Sequence, residues 1–291
     1  MGIDLPAEPP PVAGEASDWS VVYRLALPSG EPLFVKGVPR SRAEPGVSAR
    51  LADLCPEAVP AVVDVDLVPD AAWCWFALRD AGSAVGEFLD LRTAVRAVQA
   101  LGTLQARSAL DPTLPTWLPR CDAASLWEVL QGCAEWAAEV ASADFVAQVR
   151  DLRLRLPRAE GFVRRVGVEL QALPSVLVHG DFWAGNIAIQ GDAVRLLDWG
   201  DAVWGVGGVS IVHMVGSEDG KLDDFAAVIW AGYEAGLGRT VPSEYPAACA
   251  FAHLVAELVV DREIAKCCGR RLDRLPGYLP VLARILDAAG A

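Results

Sequence analysis

Apolar positions change period along this chain, from short β-like runs in the first quarter to helical spacing further on. Trp19 to Leu27 is rich in Val and Tyr, Pro28-Ser29-Gly30 is a turn, and Pro32 to Gly37 is a second β-prone run. Branched and aromatic side chains pack well on a pleated surface, so such runs read as strands when turn residues bound them. The pair predicts a hairpin whose second strand ends in Lys36. Ser41 to Leu54 then reads as a helix. Glu44-Pro45 suits its first turn, where a missing N–H is tolerated and a carboxylate meets the positive end of the dipole. Pro60 to Val68 and Trp73 to Leu78 read as two more strands, completing a small antiparallel sheet.

After the loop Arg79-Asp80-Ala81-Gly82-Ser83 the pattern turns helical. Asp90 to Ala109 carries Leu91, Val95, Val98, Leu101 and Leu104 on one face. Asp111-Pro-Thr-Leu-Pro115 breaks the chain. Ala123 to Leu156 predicts one or two amphipathic helices, and Phe162 to Leu173 another, ended by Pro174. Apolar Val176 to Val178 leads into a polar loop. Ile187 to Ile189 and Val194 to Leu197 then flank Gln190-Gly191-Asp192, a hairpin signature with Gly191-Asp192 at the reversal. Further helices are predicted over Asp223 to Leu237, Pro246 to Cys268 and Tyr278 to Ala289.

Composition narrows the class. The 291 residues, 53% of them hydrophobic, suffice for a large core in one domain or two lobes. A formal charge of −13 argues against a nucleic-acid partner, which needs clustered Lys and Arg. Such acidity is compatible with a cationic small substrate, or serves solubility alone. Seven cysteines, Cys267-Cys268 among them, show no Cys-x-x-Cys spacing and read as reduced core residues of a cytoplasmic protein. The Pro- and Ala-rich segment 1–17 reads as an extended or disordered tail rather than a signal peptide. No charge-free apolar run is long enough to predict a membrane span. A monomer or a homodimer is equally compatible with these features.

The candidate chemistry is concentrated in His179-Gly180-Asp181, Asn186 and Asp198-Trp199. Moving a γ-phosphoryl group needs a carboxylate beside the acceptor hydroxyl and oxygen ligands that hold Mg²⁺ against the phosphates. Asp181 can be the first, and Asn186 and Asp198 the second. Asp181 and Asn186 are separated by four residues, as are the base and metal-binding Asn of the protein-kinase catalytic loop. The hairpin between them would return Asp198 to the vicinity of Asn186. A bland alternative has Asp181 and Asp198 capping turns and Asn186 tolerating a left-handed backbone.

This segment resembles the aminoglycoside phosphotransferase and choline kinase superfamily, whose loop reads His-Gly-Asp, four residues and Asn, with Asp-Trp or Asp-Phe at the second metal site. The resemblance implies an α+β, protein-kinase-like fold of two lobes: a small antiparallel-sheet N-lobe over 18–79 and a mostly helical C-lobe over 80–291. It implies Mg²⁺-dependent transfer of the γ-phosphoryl group of ATP or GTP to a small-molecule hydroxyl, foremost that of an antibiotic. A metabolic kinase of choline, an amino alcohol or a sugar is the alternative enzyme, and a kinase-shaped non-catalytic binding protein the alternative class. By the same resemblance Lys36 holds the α- and β-phosphates, Glu44 is its partner, and Arg79 and Ala81 belong to the connector that meets adenine. His179 is expected to order the loop by hydrogen bonding, and Asp201 to face solvent or cap the next turn, with a third carboxylate at the metal edge as its alternative role.

The sequence departs from the family pattern at Ser210, where relatives carry an Asp that braces the catalytic loop. Loop rigidity is therefore in question. No Gly-x-Gly-x-x-Gly, His-Arg-Asp, Asp-Phe-Gly or Walker pattern occurs, which argues against a eukaryotic-type protein kinase and a P-loop enzyme. Acceptor recognition is implied in the helical lobe, where Trp117, Trp127, Trp136, Glu128, Glu135, Glu139, Glu257, Asp261 and Glu263 offer aromatic and acidic side chains for a cationic acceptor. The alternative is that these residues are ordinary core and solvated face.

Overall fold

The computed structural model describes residues 20–28, 30–67, 72–86, 89–217, 222–268 and 271–291, so the tail expected over 1–17 lies outside the described residues. The first strands, β1 (Val21–Ala26) and β2 (Pro32–Pro39), form the expected hairpin. Helix α1 (Glu44–Leu54) follows, with Pro45 in its first turn, then β3 (Val62–Val65) and β4 (Trp73–Arg79). The four strands make one antiparallel sheet in the order β1-β2-β4-β3. Phe76, fully buried, lies opposite Lys36 across the β2–β4 ladder.

The connector after β4 is pressed against the second lobe. Gly82 takes φ +98°, and a Cβ there would overlap the Ile189 carbonyl, so only glycine fits. Beyond it come β5 (Ser83–Ala84), α2 (Leu91–Ser108), the one-turn α3 (Leu114–Trp117), β6 (Arg120–Cys121), α4 (Leu126–Val140) and α5 (Val146–Leu170). The chain continues through β7 (Val176–Val178), β8 (Ile187–Gln190), β9 (Ala193–Leu196) and β10 (Val203–Gly205). It closes with α6 (Val209–Ser217), α7 (Ala226–Leu237), α8 (Tyr245–Cys268) and α9 (Arg271–Ala288). The α+β, protein-kinase-like arrangement expected from the sequence is what forms.

Two small sheets carry the loops between the lobes. β5 pairs with β8, which pairs with β9, so the connector is sewn to the predicted hairpin. β10 lies between β6 and β7. One apolar core joins α1, α2, the β8–β9 hairpin and α7; another joins α4, α5, α8 and α9. Asp90 caps α2 by accepting the Thr93 amide at 3.0 Å, and the buried stripe beyond it includes Val98, Leu101 and Leu104.

Several boundaries differ from expectation. The break expected before Phe162 does not occur, because α5 runs unbroken through Pro157. Pro157 is exposed, so the helix carbonyl it leaves without a partner can turn to water. The last helix begins at Arg271 instead of Tyr278 and contains Pro276 and Pro280, both exposed. Helix α6, unanticipated, begins in the stretch read as a departure from the family pattern. Trp127 and Trp136 are core residues, 5% and 6% exposed, which removes them from the acceptor candidates. Among the described residues no helix is long and apolar enough to cross a membrane.

Candidate active site

Lys36 projects from β2 into a buried triad of charges. Its Nζ lies 2.6 Å from Glu44 Oε1, in the first turn of α1, and 2.8 Å from Asp198 Oδ1, just past β9. Lys36 and Glu44 are buried, whereas the Asp198 side chain is 47% exposed toward the cleft. Burial pushes Glu44 up to about 7, against the pull of Lys36. Burial lowers Lys36, but its two carboxylate partners more than reverse this and hold it charged. Desolvation raises Asp198 too, and the Lys36 ion pair with the Gly200 amide brings it below the ordinary carboxylate range. One ammonium thus faces two carboxylates, an arrangement with room for further positive charge.

The second part of the site is the loop after β7. Gly180 takes φ +81°, and a Cβ there would overlap the Asp201 carbonyl. This close approach lets the loop turn under the strand end. His179 is fully buried, its Nε2 is 2.7 Å from the Leu197 carbonyl, and its ring packs tilted against Trp199 at 4.4 Å between centroids. Burial lowers its pKa, and Nδ1 has no hydrogen-bond partner among the described residues. The ring is therefore neutral with its proton on Nε2, and it orders the loop as expected.

Asn186 connects the two parts. Its Nδ2 donates to the Asp181 carbonyl at 2.8 Å and to Asp181 Oδ2 at 2.9 Å. Its backbone carbonyl accepts the Leu197 amide at 2.8 Å, which fixes the base of the β8–β9 hairpin beside Asp198. Asp198 itself takes φ +55°, a left-handed conformation that Asp tolerates better than most residues. Asp181 is half-exposed, with His213 Nε2 3.4 Å from Oδ1. Desolvation raises Asp181, but His213 and the Asn186 amide outweigh it and bring it below the ordinary carboxylate value.

A cavity of about 430 Å³ opens between the lobes, and Lys36, Glu44, Arg79, Ala81, Asn186 and Asp198 all line it. Phe34, Leu78 and Leu196 supply apolar wall. Arg79 also pairs with Glu31 at 3.1 Å, and Asp80 Oδ1 accepts the Gly82 amide at 3.0 Å, bending the connector. Asp181 is not among its lining residues, so this part of the loop sits at the cavity's edge.

Two expectations about supporting residues are corrected. Ser210 does not leave the loop loose: its buried hydroxyl accepts the His179 amide at 3.1 Å, the place of a brace. Asp201 neither faces solvent freely nor caps a turn; it pairs with Arg42 at 2.5 Å, joining the α1 approach to the segment after Asp198. Other contributors carried no motif. Gln105 donates to the Leu177 carbonyl at 2.8 Å, Ser108 accepts the Leu177 amide at 3.1 Å, and Tyr233 donates to Gln105 at 2.6 Å. These buried polar groups pin β7, and only a polar interruption of the α2 apolar stripe could have signalled them. His213 was missed as well, since a lone His carries no spacing signal.

The acceptor candidates scatter. Trp117 and Glu263 line a second hollow of about 320 Å³ beside Arg42 and Asp201. Glu128 pairs with Arg164, Glu257 pairs with His253, and Glu135 and Glu139 are exposed on α4.

A kinase-like pair of lobes enclosing a Lys–Glu–Asp triad, with an Asp–Asn loop at its rim, defines a phosphotransferase. The chain belongs to the phosphotransferase enzyme family, whose model matches residues 14–245. An amicoumacin kinase in complex with AMP-PNP, Ca²⁺ and Ami superposes at a TM-score of 0.60 and 13% identity, over 95% of this chain and 88% of that one. A choline/ethanolamine kinase family protein from Mesorhizobium loti gives 0.54 and 16%, over 96% and 92%. Spectinomycin phosphotransferase in complex with ADP and spectinomycin gives 0.52 and 10%, over 96% and 91%. Identities this low speak for the fold. Comparison with curated proteins gives no match.

Proposed function

We propose that this phosphotransferase moves the γ-phosphoryl group of ATP or GTP to a hydroxyl of a small molecule, with Mg²⁺ as cofactor and an antibiotic as the foremost acceptor. The observation that carries the reading is Asn186, whose amide nitrogen holds Asp181 and whose Oδ1 is thereby left for a cation. With the Asp198 carboxylate it forms a hard-oxygen pair suited to Mg²⁺. The excess negative charge around Lys36 favours a dication there. When bound, the ion would neutralise charge on the phosphate oxygens.

The chain's own residues do the remainder. Lys36, held by Glu44, meets the α- and β-phosphates, while Arg79, Ala81 and the rest of the connector border the nucleotide base. Asp181, kept anionic, orients the acceptor hydroxyl and takes its proton as the O–P bond forms. In this division residues 18–79 serve the nucleotide, and 80–291 carry the catalytic loop, the metal ligands and the acceptor site. The free, buried side chains of Cys55, Cys74, Cys121, Cys133 and Cys249 suit a reducing cytoplasm.

The antibiotic reading draws on the spectinomycin phosphotransferase and the amicoumacin kinase; the choline/ethanolamine relative keeps a metabolic amino alcohol as second reading. The non-catalytic reading loses its motive, since Ser210 occupies the brace. The test is nucleoside-diphosphate release with Mg²⁺ across aminoglycosides, macrolides, nucleoside and peptide antibiotics, and amino alcohols. Release dependent on one acceptor class is expected; nucleotide binding with no acceptor-dependent release anywhere would overturn the proposal.

A further inference from the structure

Beside Asp181 lies a cluster that the proposed phosphoryl transfer does not use. His213 of α6 and His253 and Glu257 of α8 include two of the protein's three histidines. His253 and Glu257 are one helical turn apart on the same face, with Nε2 and Oε1 separated by 3.1 Å. The His213 ring meets that of His253 edge to face, with centroids 5.4 Å apart. One ligand atom from each of the three lies within 4.8 Å of the other two. Their side chains are 25%, 14% and 35% exposed, sheltered yet reachable.

We infer that these residues bind one transition-metal ion, Zn²⁺ foremost, at a site separate from that of Mg²⁺. Ligand atoms about 2.0 Å from a tetrahedral ion stand about 3.3 Å apart, so the His253–Glu257 separation already matches coordination. His213 closes the set by a shift of about 1.5 Å, within side-chain reach. Two imidazoles and a carboxylate select zinc over magnesium, which prefers oxygen alone. Three protein ligands leave a fourth position for water or a ligand atom of an acceptor. His213 also touches Asp181, so ion and proposed base share one imidazole. An effect of zinc on turnover rests on the assignment of Asp181; the binding itself does not.

The test is calorimetric titration of the metal-free full-length protein with Zn²⁺, alongside His253→Gln and Glu257→Gln. Wild type is expected to bind one equivalent at this site, and each folded variant at least tenfold more weakly. Equal zinc affinity in all three proteins, or no zinc binding by wild type, would overturn the inference. Should either variant fail to fold, Co²⁺ bound to wild type decides. A tetrahedral visible spectrum without an intense thiolate charge-transfer band supports the site, and a thiolate band assigns the metal to cysteine and overturns it. Asp181→Asn is expected to keep the zinc equivalent. A protein that binds zinc but phosphorylates nothing therefore fails the functional proposal alone.

Discussion

Ser210 departs from the family pattern in sequence but fills the place of a brace in the structure. Its hydroxyl accepts the His179 amide inside the core. Removing it strands a buried N–H, so Ser210→Ala is expected to lower stability by about 1–2 kcal/mol. If the loop is the catalytic element, the same variant lowers kcat with little change in nucleotide KM, read from urea melts and steady-state rates. Gly180 shows the opposite kind of constraint, with a positive φ and no space for a Cβ. Gly180→Ala is expected to destabilise by about 2 kcal/mol or more, measured in the same way. Lys36, Glu44, Asp181, Asn186 and Asp198, the residues proposed to bear the chemistry, were legible because phosphoryl transfer restricts both type and spacing. Gln105, Ser108, Tyr233 and Arg42 were not. Their work is hydrogen bonding or pairing across more than 60 residues of chain, as with Gln105 and Leu177, and no local pattern encodes it.

Among the elements, strands bounded by turn residues and helices with clean stripes could be read directly, as β1, β2, β4 and α2 illustrate. β6 and β10 could not, because strands of two and three residues exist only through pairing with each other and β7. Helix α5 passes through Pro157 where a boundary was expected, since tertiary packing of its Leu156, Ala159 and Val163 face outweighs the lost hydrogen bond. Pro157→Ala is expected to raise stability by about 1 kcal/mol, the regained bond exceeding the added unfolded-chain entropy; a lower melting temperature would contradict this. The turn before α3 makes a pH prediction. Burial raises the Asp111 carboxyl, but Thr113, Arg50 and the Leu114 amide outweigh it and bring it to about 2. Its folded pKa lies below the unfolded value, so its stabilisation is present at neutral pH and lost as pH falls from about 4 toward 2. Urea unfolding of wild type and Asp111→Asn should differ by about 2 kcal/mol at pH 6, and the gap should narrow below about pH 4 and close only near pH 2 and below.

At the scale of the whole molecule, ion pairs that cross between lobes include Lys36 with Asp198, Arg42 with Asp201, Arg50 with Asp111 and Arg107 with Glu57. The carboxylates of the first two pairs stand three residues apart, so one short segment after β9 receives both Lys36 and Arg42. The architecture was readable because β-like periods dominate before the connector and helical periods after it, interrupted chiefly by α1 and the β8–β9 hairpin. What the acceptor is could not be read, because aromatic and acidic side chains on helices serve core, surface and binding alike. Trp127 and Trp136 turned inward, whereas Trp117 and Glu263 meet at a hollow. The central claim is that Asp181 is the base of a phosphoryl transfer whose nucleotide is held elsewhere, by the Lys36 triad. The direct measurement is phosphoryl transfer to an identified acceptor, with nucleotide affinity alongside, for wild type and Asp181→Ala. Transfer should fall by about 10²–10⁴-fold with nucleotide affinity changed by no more than about threefold. Turnover retained in that variant would contradict the account.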